Sequence, residues 1–395
     1  MLKPKKNYLK WIIISLTIFV TIFTNIRIRS DAATLQYTQE QYDQLIRFGI
    51  TAPLGVVGYD LSEIHALTYL DWAKESSSVP DGVEYIHVLK MRFIEASKDP
   101  TGDIDENLFQ QFLIDLPNLI SRNTDAVWII GNEPDRIIYQ DDLTPEKYAE
   151  RFYEVATIIK STDSTARVGF GSVVQPTPIR IRYLERSLLK LADLAGSMEL
   201  ALEMIDLWSI HSFILNEVGT WGADIPTGFD CNVDNCDDAV KISDYADTYN
   251  IDIFRERITN FREWLNSISE TNKPLWITEY GSLFPDWEIR CKYHPYPDCS
   301  NPSNGWPTEK DNNDYMISTF DYLLHSYDSA AGLPDDGYKL VQRWYWYSLN
   351  DHLYSFGGSL FDPDNNKLIT KQGIAYKQYV EFLINPKIYL PIILN

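Results

Sequence analysis

The run Trp128-Ile129-Ile130-Gly131-Asn132-Glu133-Pro134-Asp135-Arg136 opens on three large apolar residues and then breaks into an amide, two acids, a proline and an arginine. A short apolar run bounded by turn residues reads as a strand covered on both faces. Strands of that kind belong to parallel sheets, whose crossovers are usually helices. Proline has no N–H for a ladder, so Pro134 stops the strand directly after Glu133. Two readings remain at this point: a plain exit from a strand, or a carboxylate delivered to the strand's end.

Working outward, similar runs recur along the chain. They are Gly55–Tyr59, Ala66–Trp72, Tyr85–Met91, Val127–Gly131, Ala166–Val174, Ile205–Phe213, Pro274–Tyr280 and Val341–Ser348. Helical patterns lie between many of them. Thr144-Pro145 is a cap followed by a first-turn proline, and Tyr148, Phe152, Val155 and Ile159 then repeat at helical spacing. Phe254, Ile258, Phe261, Leu265 and Ile268 do the same, as do Phe320, Leu323, Leu324 and Tyr327. Strands alternating with helices predict a parallel sheet. Eight such strands predict a closed (β/α)8 TIM barrel in one domain, a fold of about 250 residues that takes insertions, within the 395 available. The first two strands stand too close for a helix between them, so one of the two is also readable as a lid hairpin or a floor strand.

The flanks read differently. Residues 1–33 carry a basic start (Lys3, Lys5, Lys6, Lys10), an apolar run from Trp11 to Phe23 and the small residues Ser30-Asp31-Ala32. This is a secretory signal or, left uncleaved, a membrane anchor. Either places residues 34–382, the expected catalytic domain, outside the cytoplasm. The tail 383–395 is apolar and is readable as floor packing or as an anchoring or sorting element. The net charge of −21 argues against nucleic acid as a partner. A monomer is expected. Cys231 and Cys236 share one loop and Cys291 and Cys299 another, so two local bridges are the simplest of three pairings. A zinc site fits less well, because neither spacing is C-x-x-C.

In an α/β barrel the chemistry sits where the strands end. The fourth strand ends in Asn132-Glu133. The seventh, LWITEYG, ends in Glu279-Tyr280-Gly281. The sixth carries His211, and the eighth places Trp344 and Trp346 on one face and Tyr345 and Tyr347 on the other. Two carboxylates meeting across a barrel mouth are what glycosidic bond cleavage with retention requires, one as acid and one as nucleophile. A lone glutamate after a strand is more often a solvated loop acid; a pair in two such places is not. Phe361-Asp362-Pro363-Asp364-Asn365-Asn366 lacks the glycine and distal glutamate of a calcium loop and reads as a turn. No metal and no cofactor is expected.

With these motifs the chain resembles the clan A glycoside hydrolases, which share the barrel and a retaining mechanism. The resemblance covers most of Tyr59 to Tyr379. Within the clan it is most similar to the short-barrel endo-β-1,3-glucanase-like group, through Tyr69-Leu70-Asp71-Trp72, Gly131-Asn132-Glu133-Pro134-Asp135 and the stretch Asp206 to Phe213. It implies Glu133 as acid/base and Glu279 as nucleophile. It also implies Asn132 as the partner of a sugar hydroxyl and Trp346 as the floor of the same subsite. Two departures bear on the substrate: Asp71 replaces an amide, and Phe213 stands where a hydroxyl-bearing tyrosine is common.

Glu133 as an acid is expected to have its pKa raised by burial and by the charge of Glu279. Glu279 as a nucleophile is expected to stay ionised, with Asn132, His211 and Arg92 as donors. Trp72 and Tyr280 read as subsite or core aromatics. Trp221, Trp287 and Trp306 in the long loops read as sugar platforms or loop packing. The expected function is a secreted or surface retaining glycoside hydrolase, endo-acting, that cleaves a β-linked polysaccharide or oligosaccharide, with a β-glucan first, by double displacement. The competing readings are a non-catalytic carbohydrate-binding protein on the same barrel and a metal-dependent hydrolase, the latter disfavoured by the lack of H-x-H or H-E-x-x-H.

Overall fold

The computed structural model describes residues 37–386, apart from 74, 77, 94–104, 138–139, 220–221, 243–244 and 294–305. The expected signal or anchor 1–33, the tail from 387 onward, Trp221 and Cys299 lie outside the described residues. Among the described residues no helix is long and apolar enough to cross a membrane.

Eight strands close a barrel in sequence order: β1 (Phe48–Thr51), β2 (Thr68–Asp71), β3 (Glu84–Leu89), β4 (Val127–Ile130), β5 (Arg167–Val173), β6 (Leu207–His211), β7 (Leu275–Gly281) and β8 (Arg343–Tyr347). Every neighbouring pair is parallel, and β8 closes on β1 through Phe48 opposite Trp344 and Ile50 opposite Trp346. The helices are α1 (Gln39–Leu45), α2 (Glu106–Arg122), α3 (Pro145–Thr162), α4 (Pro178–Ala195), α5 (Met198–Glu203), α6 (Ile251–Ser267), α7 (Trp287–Tyr293), α8 (Glu309–His325) and α9 (Lys371–Ile384). The predicted cap of α3 is present: Thr144 Oγ1 accepts from Lys147 N at 3.2 Å, with Pro145 in the first turn.

One strand lies elsewhere than the sequence predicts. Gly55–Tyr59 is irregular, and the first strand is Phe48–Thr51. Gly55 and Gly58 have φ of 71° and 82°, a left-handed backbone that no strand admits. The true strand is four residues, FGIT, buried throughout, and it carries no alternation to reveal it. Among the described residues no α-helix separates β1 from β2 or β2 from β3, so the helical ring is incomplete there.

The apolar residues form two layers. Leu70, Ile86, Val88, Val127, Ile129, Leu207, Trp276 and Tyr345 fill the barrel. Trp128, Ile130, Trp208, Ile210, Trp344 and Trp346 point the other way, into the layer shared with the helices. Strand parity therefore decides which side chains can reach the mouth. Regular alternation from Trp276 would send Tyr280 inward and Glu279 outward. The pairing of β7 with β8 slips between Ile277 and Tyr280, and that of β6 with β7 slips between Ile210 and His211. A one-residue slip exchanges the faces of everything after it. Glu279 consequently lines the mouth, and Tyr280 packs outward against Phe254 of α6 and Trp346.

The loop from β6 to α6 carries the Cys231–Cys236 disulfide. The second expected bridge involves Cys299, outside the described residues. Trp306 stacks on Tyr245 at 5.1 Å between ring centres and lies against Phe284, with the Arg290 guanidinium over its ring at 4.2 Å; it fastens the loop after β7 to the loop after β6. Asp362 to Asn366 turns a two-stranded hairpin, Phe361–Asp362 with Leu368–Ile369, and Asp362 caps its own turn by accepting from Asp364 N at 3.0 Å.

Candidate active site

The turn after β4 puts Glu133 in place by its backbone. Glu133 has φ of 45°, and its N–H donates to Ser172 O at 3.0 Å across the bulge in β5. Gly131, two residues earlier, has φ of 95°, and a Cβ there would meet the Tyr148 ring at 2.9 Å. Two residues later Asp135 is fully buried; its carboxylate accepts from Val174 N at 3.2 Å and from Arg180 Nε at 2.6 Å. The turn is thus fixed on both sides of the acid, and the Glu133 side chain is 1% exposed.

Glu133 and Glu279 meet at His211. The imidazole Nδ1 lies 3.1 Å from Glu133 Oε1 and 3.6 Å from Glu279 Oε2. One ligand-type atom from each of the three residues falls within 4.8 Å of the other two. The remaining oxygen of Glu133, Oε2, is 3.1 Å from Arg136 Nη1. Arg136, not the expected Arg92, is the arginine at the acid, and it stands in the same turn. Arg92 pairs instead with Asp142 at 2.8 Å, and its N–H donates to Asp141 at 3.2 Å. Neither contact reaches the two glutamates.

The charges do not fall as expected from the assigned roles. Burial disfavours ionisation of Glu133, but Arg136 and His211 outweigh it and hold the carboxyl down at about 2. Burial and the Glu133 charge push Glu279 up to about 7, against the pull of His211. Burial also disfavours the His211 imidazolium, but Glu279 and Glu133 raise it above its ordinary value. The two acids are one coupled pair, and over most of the acidic range the pair holds one proton. The shifts favour Glu279 as the holder of that proton: Arg136 makes its ion pair with Glu133 and acts on Glu279 only without contact.

The expected binding residues divide in two. Asn132 and Trp72 sit at the mouth as a unit: Trp72 Nε1 donates to Asn132 Oδ1 at 2.7 Å, while Asn132 Nδ2 donates to Gln140 at 2.7 Å and Asn132 N to Asp141 at 2.7 Å. Tyr280 and Trp346, also expected at the subsite, are fully buried on the outer face of the barrel, where the Trp346 indole donates to Gly358 O at 2.8 Å. They belong to the core. The inward residue at the end of β8 is Tyr347. It packs with Phe213, Val174 and Leu215, with Trp72 and Phe356 against the cluster, and its hydroxyl donates to Asp351. Strand parity held the signal, since Tyr345 and Tyr347 share a face and Tyr345 fills the barrel interior. A cavity of about 340 Å³ opens over Glu279, Arg136, Phe213, Tyr347 and Phe356.

Glu133, His211 and Glu279 are dense enough in ligand atoms to hold a cation. The Arg136 guanidinium at Glu133 Oε2 already supplies positive charge there, and a divalent ion would have to expel it.

No family model matches the sequence, and no curated protein matches it. Solved structures do share its architecture. A monomeric β-xylosidase from Caulobacter crescentus superimposes with a TM-score of 0.51 at 15% identity, over 85% of this chain and 68% of that one. A curdlan-specific exo-β-1,3-glucanase from Blastomyces gilchristii, in complex with glucose, gives 0.49 at 13% identity over 84% and 97%. An endo-β-1,3-glucanase from Amycolatopsis mediterranei, in complex with laminaritriose, gives 0.46 at 15% identity over 85% and 99%. The likeness is one of fold. Identity this low leaves the chemistry to be argued from the site itself.

Proposed function

We propose that the protein is a retaining glycoside hydrolase of a β-linked polysaccharide, with a β-glucan as first choice and an extracellular site of action. The observation that carries this is the meeting of Glu133 and Glu279 at the mouth with carboxylate oxygens within 4.8 Å. An inverting enzyme needs room for a water, with carboxyls about 6.5–9.5 Å apart, whereas attack by a carboxylate needs about 5–5.5 Å. The β-glucan preference rests on the Gly131-to-Asp135 motif, and the extracellular site on the N-terminal segment.

In this reading Glu279 attacks the anomeric carbon as the bond to the leaving oxygen breaks. Glu133 gives that oxygen its proton. A water then enters, Glu133 takes its proton, and the hydroxyl displaces Glu279 from the sugar. His211 touches both acids and fixes their mutual position throughout. Tyr347 and Trp72 offer the aromatic faces against which a ring lies.

Release of reducing ends from a panel of β-1,3-, β-1,4- and mixed-linkage glucans tests the proposal. We expect hydrolysis of at least one, undiminished by a strong chelator. We expect kcat/KM to fall about tenfold per pH unit above about 7, where the pair loses its last proton. Tight glycan binding without product from any substrate would favour the carbohydrate-binding reading instead. Loss of activity with chelator, restored by a divalent ion, would favour the metal-dependent one.

A further inference from the structure

The arrangement that supports hydrolysis also obstructs it. Glu133 has two oxygens, and each has a partner within the protein: His211 at 3.1 Å from Oε1 and Arg136 at 3.1 Å from Oε2. A general acid must turn one oxygen, with its proton, toward the leaving group. His211 is 2% exposed and lies on a strand, so it has nowhere to go. Arg136 is 32% exposed and lies on a turn, and among the described residues its guanidinium makes one further hydrogen bond, Nη2 to Gly222 O at 3.4 Å. It also lines the cavity into which Glu279 opens. Of the two covers on Glu133, it is the one with room to leave.

We infer that Arg136 is a displaceable positioning residue: it covers Glu133 Oε2 in the free enzyme and is moved off by an entering sugar, which frees that oxygen to carry the proton. The inference rests on the hydrolase reading above. The total proton count of the pair need not change. One proton passes from Glu279 to Glu133 as the guanidinium withdraws, which leaves Glu279 as the bare nucleophile and Glu133 as the acid. Among the described residues, the charged and titratable groups facing Glu133 from the surrounding elements are Arg136 and Asp135 on its own turn, His211 on β6, Glu279 on β7 and Tyr347 on β8, with Lys90 beyond β3 acting on Glu279. Only Arg136 among them combines a direct ion pair with exposure. The device would make the free enzyme a poor proton donor and the occupied one a good donor.

The test uses the full chain and two readouts. In the first, pH profiles of kcat/KM on a soluble β-1,3-glucan are compared for wild type, Arg136→Gln and Arg136→Lys. Loss of a cation beside a carboxylate raises its pKa, so both limbs of the Gln profile are expected to move alkaline by about one pH unit, while the Lys profile stays near wild type. In the second, the infrared carboxylic-acid band of Glu133 is followed in Glu279→Gln protein, where it is the one acid of the pair. With Arg136 present, laminaritriose is expected to induce the band at pH 5. With Arg136→Gln added, the band is expected before any sugar is present. Superimposable pH profiles, or a Glu133 band indifferent to both sugar and Arg136, would overturn the inference while leaving hydrolysis intact. Absence of hydrolysis by wild type would instead remove the function reading, and the effect of Arg136→Gln on the sugar-free Glu133 band would still decide what Arg136 does.

Discussion

Glu279→Gln is expected to lower kcat on the responsive glucan by at least about a thousand-fold, which is about 4 kcal/mol of transition-state stabilisation. Glutamine keeps the shape and removes the nucleophile, and no other described carboxylate lies beside His211 except Glu133. Glu133→Gln is expected to cost about a hundred- to ten-thousand-fold on the polysaccharide, the usual range for a lost general acid. The two variants separate on a dinitrophenyl glycoside. That leaving group departs without a proton, so Glu133→Gln should retain its first step, whereas Glu279→Gln should not. Initial rates and burst amplitudes on both substrates check this. Equal losses on both substrates for both variants would mean that the roles are not divided as proposed.

The second large effect concerns stability. Arg180 is fully buried on α4 and joins two buried acids: Nε reaches Asp135 at 2.6 Å, and Nη1 reaches Glu217. Its Nη2 donates to Ala223 O at 3.0 Å and Asp224 O at 2.9 Å. One guanidinium therefore binds the turn that carries Glu133 to the loop after β6. Arg180→Met is expected to destabilise the protein by about 3–5 kcal/mol, because two carboxylates would stay buried with their shared cation gone. Activity should fall with it, since Asp135 is one of the anchors of the Glu133 turn. Adding Asp135→Asn and Glu217→Gln to Arg180→Met should recover part of the loss, as neutral groups cost less to bury than orphaned charges. Denaturant midpoints of the three proteins decide the matter. A single variant as stable as wild type would show that the ion pairs contribute no net stability.

Much of this was legible in the chain. Seven of the eight strands were marked by apolar runs, and the two glutamates by their positions at the ends of two of those runs. The first strand was not, because FGIT is short and buried on both faces, while the apolar residues of Gly55–Tyr59 lie between glycines with left-handed backbones. The subsite aromatics were misplaced for a different reason. Tyr280 changes face through a register slip in β7, which depends on its pairing with β6 and β8 and leaves no local trace. Trp346 is placed by the parity of its own strand: Tyr345 fills the barrel, so Trp346 faces the helices, and the suitability of tryptophan as a sugar platform carries no information on its face. Arg136 was in plain view beside Glu133. Whether an arginine three residues away turns back onto a glutamate depends on the turn, and that turn is held by Ser172, Val174 and Arg180, which lie on or beyond β5 and are distant in sequence.

The most direct test of the central claim is to trap the covalent intermediate. A 2-deoxy-2-fluoro-β-glycosyl fluoride of the responsive sugar slows both steps and lets the glycosyl-enzyme accumulate. Peptide mapping of the trapped protein is predicted to place one sugar on Glu279, within the peptide containing LWITEYG. A sugar on Glu133, or no covalent adduct from an enzyme whose natural product emerges with inverted anomeric configuration, would contradict it.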